Sequence, residues 1–415
     1  MSDVLDRLPR PNERRLAVRV NDDARRHVRR GHPWVFEASI TSTGGEGQMG
    51  DLAVVFDRQR RFQAIGLYDP DSPIRVRVLH HGEPETITPQ WWHRRLADAI
   101  ERRAPLLASP DTSGLRLVHG ENDGFPGLVV DRYDSVLVIK LYSAAWLPHL
   151  RTVVDALVDL MGPEAVVLRL SRALQRRDLA GLTDGTTLVG APPAAPVPFR
   201  EHGLVLEADV VAGQKTGYFL DQRDNRQLVR SMAGGARVLD VFSCTGGFSL
   251  AAAAGGATSV TSVDVSHAAI QAARRNLERN RDQPAVARCR HETITGDAFE
   301  VMARLVDQGA RFDLVVVDPP SFAQRQSSVP GALRAYGRLT DLAVRLVAEG
   351  GVLVQASCSA RVSAEAFFGA VRGAAAAAGV GLDELARTGH PLDHPIGFDE
   401  GAYLKAIVAG VQQRS

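Results

Sequence analysis

A cysteine between two serines, Ser357-Cys358-Ser359, stands where the apolar run beginning at Val352 gives way to polar loop. Most cysteines in strands are inert packing, but this position favours a thiol that can be reached. A thiolate there could add to carbon 6 of a cytosine, leaving carbon 5 enamine-like and able to attack an electrophilic methyl group. Methylation of a ring nitrogen or an exocyclic amine needs no thiol. A second candidate follows the apolar run Leu314-Val315-Val316-Val317, where Asp318 is succeeded by Pro319 and Pro320. Two neighbouring prolines remove two backbone donors and stiffen the loop. That presents the Asp318 carboxylate and adjacent carbonyls rigidly to a planar base. If Asp318 and Cys358 end adjacent strands, they flank one pocket.

A third candidate is the turn Asp240-Val241-Phe242-Ser243-Cys244-Thr245-Gly246-Gly247, between an apolar strand and an alanine-rich helix. A second strand, Val260 to Val263, ends in Asp264, where an acid suits the two hydroxyls of a ribose. A dinucleotide fingerprint wants three spaced glycines around a pyrophosphate, and an acid at Asp240 would repel one. It suits an ammonium instead. S-adenosylmethionine carries both an ammonium and a ribose; a glycine turn that merely closes a corner is the competing reading. Gly296-Asp297-Ala298-Phe299 ends another strand and could meet an adenine by hydrogen bond and stacking, against a plain helix cap and a core phenylalanine. Lys215, Tyr218, Asp221, Gln222 and Arg223 crowd into GQKTGYFLDQRDNR just before this sheet, against an ordinary loop-to-helix entry.

These residues need elements to hold them. From Arg237 onward strands and helices alternate, which specifies a doubly wound Rossmann-like α/β sheet with helices on both faces. Ligands bind such sheets beyond the carboxyl ends of the strands, where Asp264, Asp297, Asp318 and Cys358 all fall. Upstream, five short strand patterns separated by turns, from Leu16 to about Leu79, predict a small closed or nearly closed β-barrel, with one helix inside Asp22 to Arg30. Between them lies an inward-looking α+β stretch. There, LRLVHGENDGFPGLVVDRY and SVLVIKLY read as two strands joined through a glycine- and proline-bearing loop. GAPPAAPVP reads as a boundary loop. The expected domains are therefore 14–83, 84–198 and 199–415.

At 415 residues the chain exceeds one core. With 45% hydrophobic and 23% charged residues it reads as globular. No apolar run reaches membrane-spanning length and no secretory segment opens the chain, so a cytoplasmic location and no membrane partner are expected. Three cysteines are too few and too scattered for a disulfide framework or a zinc site, and no metal is expected. A net charge of +1 argues against a general electrostatic attraction to nucleic acid. Residues 7–30, however, hold nine arginines against three acids, either a solvated face or a phosphate-contacting strip. With the His32-Pro33-Trp34 segment, they make RNA the expected ligand of the N-terminal module. A homodimer is compatible with all of this.

Taken together, GHPWVF, IRVRVL, GFPGLVVDRY, GQKTGYFLDQRDNR, VLDVFSCTGGFSL, VVVDPPSFA, SCS and EGAYLK resemble the bacterial 23S ribosomal RNA large-subunit cytosine-5 methyltransferases. The resemblance runs across nearly the whole chain. It implies an N-terminal PUA domain, a central α+β domain and a C-terminal class I methyltransferase. It implies S-adenosylmethionine at Asp240, Gly246, Asp264, Asp297 and Asp318, with Lys215, Tyr218, Asp221, Phe242, Thr245 and Ala298 completing the expected donor set. Cys358 becomes the nucleophile, assisted by Asp318. Pro319, Pro320, Phe322 and Arg223 are expected to face the RNA base. Nitrogen-directed RNA methylation and a non-catalytic RNA-binding assembly factor are the alternatives.

Overall fold

The computed structural model describes residues 4–413. The chain divides into two compact units. One comprises residues up to Phe199, Ala208–Leu220 and Leu392–Phe398; the other comprises Arg200–Glu207, Asp221–Pro391 and Asp399 onward.

In the first unit, six strands form one sheet in the order Trp34–Phe36, Ile74–His81, Phe62–Tyr68, Leu52–Phe56, Leu16–Val20, Ile40–Thr43. Its two edge strands are consecutive in the chain, joined only by the turn Glu37–Ser39. A sheet whose opposite edges are so tethered must curl, which gives the nearly closed barrel. Val18, Val20, Val35, Val55, Ala64 and Val76 fill it. The helix Asp22–Arg29 is capped by Asn21, whose side chain accepts from the Ala24 amide at 2.9 Å. Strand Ile40–Thr43, with its exposed residues, carries no apolar alternation and went unread in the sequence.

The same unit holds a five-stranded sheet, in the order Thr187–Val189, Ala165–Leu170, Val136–Leu141, Leu128–Tyr133, Gly114–His119. What read as one strand up to Tyr133 is two, because Gly124 and Gly127 take positive φ (79° and 78°) and reverse the chain between them. Helices Pro89–Glu101 and Leu150–Met161 cover the sheet, and Trp92, Phe125 and Trp146 pack together in the core.

The second unit is built on seven strands: β1 Arg237–Val241, β2 Ser259–Asp264, β3 Arg290–Thr295, β4 Phe312–Val317, β5 Val347–Ser357, β6 Val380–Thr388 and β7 Lys405–Gln413. Their order is β3-β2-β1-β4-β5-β7-β6. β7 alone runs antiparallel to its two neighbours; the other pairs are parallel. The order reverses between β1 and β4, so a crevice opens there at the carboxyl ends. Helix α1 Arg223–Met232 leads into β1, and helices α2 Gly247–Ala254, α3 His267–Glu278, α4 Ala298–Asp307, α5 Val329–Leu346 and α6 Ala364–Ala377 lie in the connections between successive strands. β5 is longer than its apolar run suggests. It starts at Val347 and passes through Gly350 and Gly351, with its register to β4 shifted between Phe312 and Leu314.

Candidate active site

The backbone between β1 and α2 is held in an unusual shape. Phe242, Cys244 and Gly246 all take positive φ (64°, 48° and 76°). The two non-glycine residues cost of order 1–3 kcal/mol each, and such strain persists only where surroundings impose it. Gly246 is fixed twice over, since a Cβ there would lie 2.7 Å from that of Ala273 on α3. Asp264 supplies the constraint: one carboxylate oxygen accepts from the Cys244 amide at 2.9 Å and the other from the Ser266 amide at 2.8 Å. Asn276 donates to the Thr245 carbonyl at 2.8 Å. Phe242 is half-buried against the sheet core.

Asp240 lies beneath this turn, fully buried. The Ser249 hydroxyl donates to its Oδ2 at 2.6 Å, while Oδ1 has no hydrogen-bond partner among the described residues. Burial, first, and the nearby Asp264 push its carboxyl up to about 7, against the Ser249 hydrogen bonds. The chain of hydroxyls continues from Ser249 to Ser262 (2.6 Å) and on to His291 Nε2 (2.8 Å). Burial pushes His291 down to about 4. Cys244, in the same turn, is pushed up to about 11 by burial and by Asp264, which disfavours its thiolate.

At the ends of the adjacent strands β4 and β5 stand the second pair of candidates. Cys358 is half-buried, and its Sγ lies 3.8 Å from the Pro319 carbonyl. Gln222 donates to Asp318 Oδ1 at 2.8 Å. Pro319 is buried and Pro320 exposed; Phe322 is half-buried against Tyr336, ring centroids 5.2 Å apart. Below the thiol runs a layer of hydroxyls: Tyr336 bonds Ser357 at 2.8 Å and Ser359 at 3.0 Å, and Ser359 bonds Ser321 at 3.0 Å. Lys405 on β7, paired across from Ser357, donates to the carbonyls of Ser359 (2.7 Å) and Val362 (2.5 Å). Burial pushes its ammonium down to about 8, with Cys358 acting the other way. Nothing in the EGAYLK segment by itself gives Lys405 a role; only strand pairing reveals that it underlies the thiol loop.

Asp297 is the N-cap of α4, its Oδ1 accepting from the Phe299 (2.9 Å) and Glu300 (3.2 Å) amides. Arg338 lies over the Phe299 ring, 4.7 Å from its centroid, and Ala298 is buried. Asp221 accepts from the Tyr403 hydroxyl at 2.8 Å. Arg223 is 1% exposed at the start of α1, near Glu201, so its guanidinium belongs to the packed interior. Lys215 and Tyr218 belong to the first unit. Tyr218 is buried there against Phe199, and Lys215 takes φ 52° and accepts from Lys140 through its carbonyl. Among the described residues no cluster of His, Cys, Asp and Glu could hold a metal ion, and no helix is long and apolar enough to cross a membrane.

Comparison with known proteins shows the family. The profile of S-adenosylmethionine-dependent methyltransferases covers residues 115–408, and that of PUA-like domains covers 18–81. A ribosomal RNA large subunit methyltransferase of Deinococcus radiodurans is 50% identical over 405 residues, covering 96% of this chain and 98% of that one. Ribosomal RNA large subunit methyltransferase I of Enterobacter sp. (strain 638) is 36% identical over 384 residues, covering 92% and 96%. Among solved structures, a putative SAM-dependent methyltransferase from Streptococcus mutans shares the fold with a TM-score of 0.80 at 19% identity, over 95% of this chain and 99% of that one. A putative methyltransferase complexed with SAH does so equally, at 0.80 and 20%, over 95% and 99%. The chain therefore belongs to the S-adenosylmethionine-dependent methyltransferases with a PUA-like N-terminal domain, among the ribosomal RNA large-subunit enzymes.

Proposed function

We propose that the protein methylates carbon 5 of a cytosine in large-subunit ribosomal RNA through a covalent adduct with Cys358. The observation that carries this reading is the half-buried thiol at the end of β5, 3.8 Å from the first proline carbonyl of the Asp318-Pro-Pro loop on the neighbouring strand. A nitrogen-directed enzyme has no use for a thiol there.

The donor fits the residues present. An ammonium is the missing partner of Asp240 Oδ1, and Asp264, already oriented by two amides, keeps lone pairs for ribose hydroxyls. Lone pairs also remain on Asp297 beside its cap bonds. When bound, S-adenosylmethionine supplies an electrophilic methyl group. The chain's own residues do the rest. The Cys358 thiolate adds to carbon 6 of the base and raises electron density at carbon 5. Asp318, held by Gln222, accepts from the exocyclic amine while the prolines hold the loop still. Once carbon 5 is methylated, its proton passes to solvent water, and the electron pair left behind re-forms the carbon 5–carbon 6 double bond as the carbon 6–sulfur bond breaks and the thiolate leaves. Lys405 secures the loop that carries the thiol, and its positive charge favours the thiolate.

RNA recruitment is supported by an aromatic cluster within the PUA-like module's own unit. His32, Trp34 and Phe36 group with Phe398, the Trp34–Phe398 centroids 5.4 Å apart, and Phe36 is 44% exposed. Bases stack on such rings. Of the nine arginines in residues 7–30, Arg25 and Arg26 are paired with Asp22 and Asp23 on their own helix.

The test is nucleoside analysis of ribosomal RNA treated with Cys358→Ala. Loss of 5-methylcytidine with donor affinity preserved is expected; normal turnover by that variant rejects the adduct.

A further inference from the structure

The chain has three lysines among 49 basic residues. A sequence that writes positive charge as arginine so consistently keeps lysine where a guanidinium will not serve, because the two cations differ in shape and hydration. Lys405 underlies the thiol loop. The other two, Lys140 and Lys215, meet in the first unit, far apart in sequence, and both stand over aromatic rings. Lys140 Nζ donates to the Lys215 carbonyl at 2.8 Å and lies 5.8 Å from the centroid of Tyr142. Lys215 Nζ lies 4.3 Å from the centroid of Phe219.

The ground beneath them is rigid and its charges are matched. Arg116 forms a two-bond pair with Asp131 (2.7 and 2.9 Å). Thr216 donates to Asp131 at 2.6 Å and meets the Tyr133 hydroxyl at 3.0 Å. Arg169 holds Asp184 and the carbonyls of Val210 and Gly213. Asp131 and Asp184 are thus committed to arginines. Lys140 is left with no carboxylate in ion-pair reach among the described residues. Burial, first, and then Arg169 push its ammonium down to about 8. Beside it Tyr142 is 49% exposed. An uncompensated, partly buried cation next to an exposed ring is costly for a fold that gains nothing from it. It is what an unpaired nucleotide needs: a point charge for the phosphate and a flat face for the base.

We propose that Lys140 and Tyr142, with Lys215 alongside, form a subsite of the central region that binds one phosphodiester of single-stranded RNA and stacks the adjoining base. This deepens the RNA reading above and rests on it. The Lys140–Lys215 bond also braces the loop in which Lys215 takes a left-handed conformation. A purely structural role for Lys140 would stop there.

The experiment measures binding of a fluorescein-labelled, unstructured RNA oligonucleotide by anisotropy across a salt series, without donor. Lys140→Met, Lys140→Arg and Tyr142→Leu are compared with the unaltered chain, with thermal melts run alongside. Lys140→Met is expected to weaken binding about tenfold and to flatten the log–log salt slope by about 0.7, the share of one single-strand phosphate. Lys140→Arg keeps the slope. Tyr142→Leu leaves the Lys140–Lys215 bond intact and is expected to weaken binding about tenfold at unchanged slope. Tyr142→Leu and Lys140→Met both binding like the unaltered chain overturns the subsite. So does a loss in Lys140→Met that Lys140→Arg shares and Tyr142→Leu lacks, since that is loop bracing alone. Weakened affinity for S-adenosylmethionine with RNA affinity intact overturns it in favour of a donor contact. If the unaltered chain does not bind the oligonucleotide, the RNA reading fails and the subsite with it.

Discussion

Two buried carboxylates, one in each unit, sit in opposite circumstances. Asp123, 2% exposed, is saturated: Arg103 donates to both of its oxygens (3.0 and 2.7 Å), Arg102 to one (2.8 Å), and the His119 amide to the other (2.6 Å). Asp240, fully buried, is held by Ser249 alone, and its Oδ1 has no hydrogen-bond partner among the described residues. Both are carboxylates taken out of water, so the difference is not burial. It is whether the fold itself supplies the counter-charge. Where it does, the pair is part of the scaffold. Where it does not, the carboxyl is pushed up to about 7, and a buried acid perturbed in this way is a candidate for meeting a cationic ligand group. Lys140 repeats the second case with the sign reversed.

The sharpest way to break this comparison is to remove each acid. Asp123→Ala strands the fully buried Arg103 guanidinium, and loss of one partner from a buried pair costs about 3–5 kcal/mol. Chemical unfolding should show that loss, and a variant as stable as the parent would show that saturation does not signify scaffold. Asp240→Asn strands no cation. Its stability should match or exceed that of the parent, while donor affinity measured by calorimetry falls by about 1.5–3 kcal/mol, the range for hydrogen bonds to charged groups. Unchanged donor affinity would move the ammonium elsewhere.

A gentler probe is pH. The folded-state pKa of Asp240 is raised from an ordinary 3.8 to about 7. Its contribution to stability is therefore fully present below about 3.8 and is lost as pH rises through about 7. In the donor-free protein this group makes the fold less stable across that window. A bound ammonium favours the carboxylate form, so donor affinity should rise over the same window and level off above it, by at most about tenfold per pH unit. The Asp240→Asn variant should show no such rise. A flat profile in the parent would mean that the carboxyl is already charged without the donor.

Much of this was legible in the sequence, and the boundary of legibility is physical. The alternation of strands with helices from Arg237, and the placing of Asp264, Asp318 and Cys358 at strand ends, follow from periodicities that are local. Asp240's place before the glycine turn is local too, which made it a candidate for an ammonium. Its orphaned oxygen was not visible, since that depends on what α2 and β2 fail to offer it. Nor was the fate of residues 392–398. Asp393 accepts from the Arg116 amide at 2.9 Å and the Gly397 amide donates to Asn122 at 2.7 Å, contacts across more than half the chain that leave no local pattern. Lys140 reads only as the one polar residue in the otherwise apolar strand Val136–Leu141. Only the pairing of Asp131 and Asp184 with arginines exposes it as unmatched.

The smallest expected effect belongs to Asp297, which lies between the two cases. It is exposed and half-saturated: one oxygen caps α4 through two amides, and the other has no hydrogen-bond partner among the described residues. As a cap alone, Asp297→Ala should cost about 1 kcal/mol of stability and leave donor affinity untouched. As an adenine or ribose contact as well, it should also weaken the donor. Asp297→Ser separates the two, because serine caps nearly as well as aspartate but carries no charge and one fewer acceptor oxygen. Restored stability with donor affinity still reduced would assign the free oxygen to the ligand. Both restored together would make Asp297 a cap and nothing more, and would confine the unmatched groups of the donor site to Asp240.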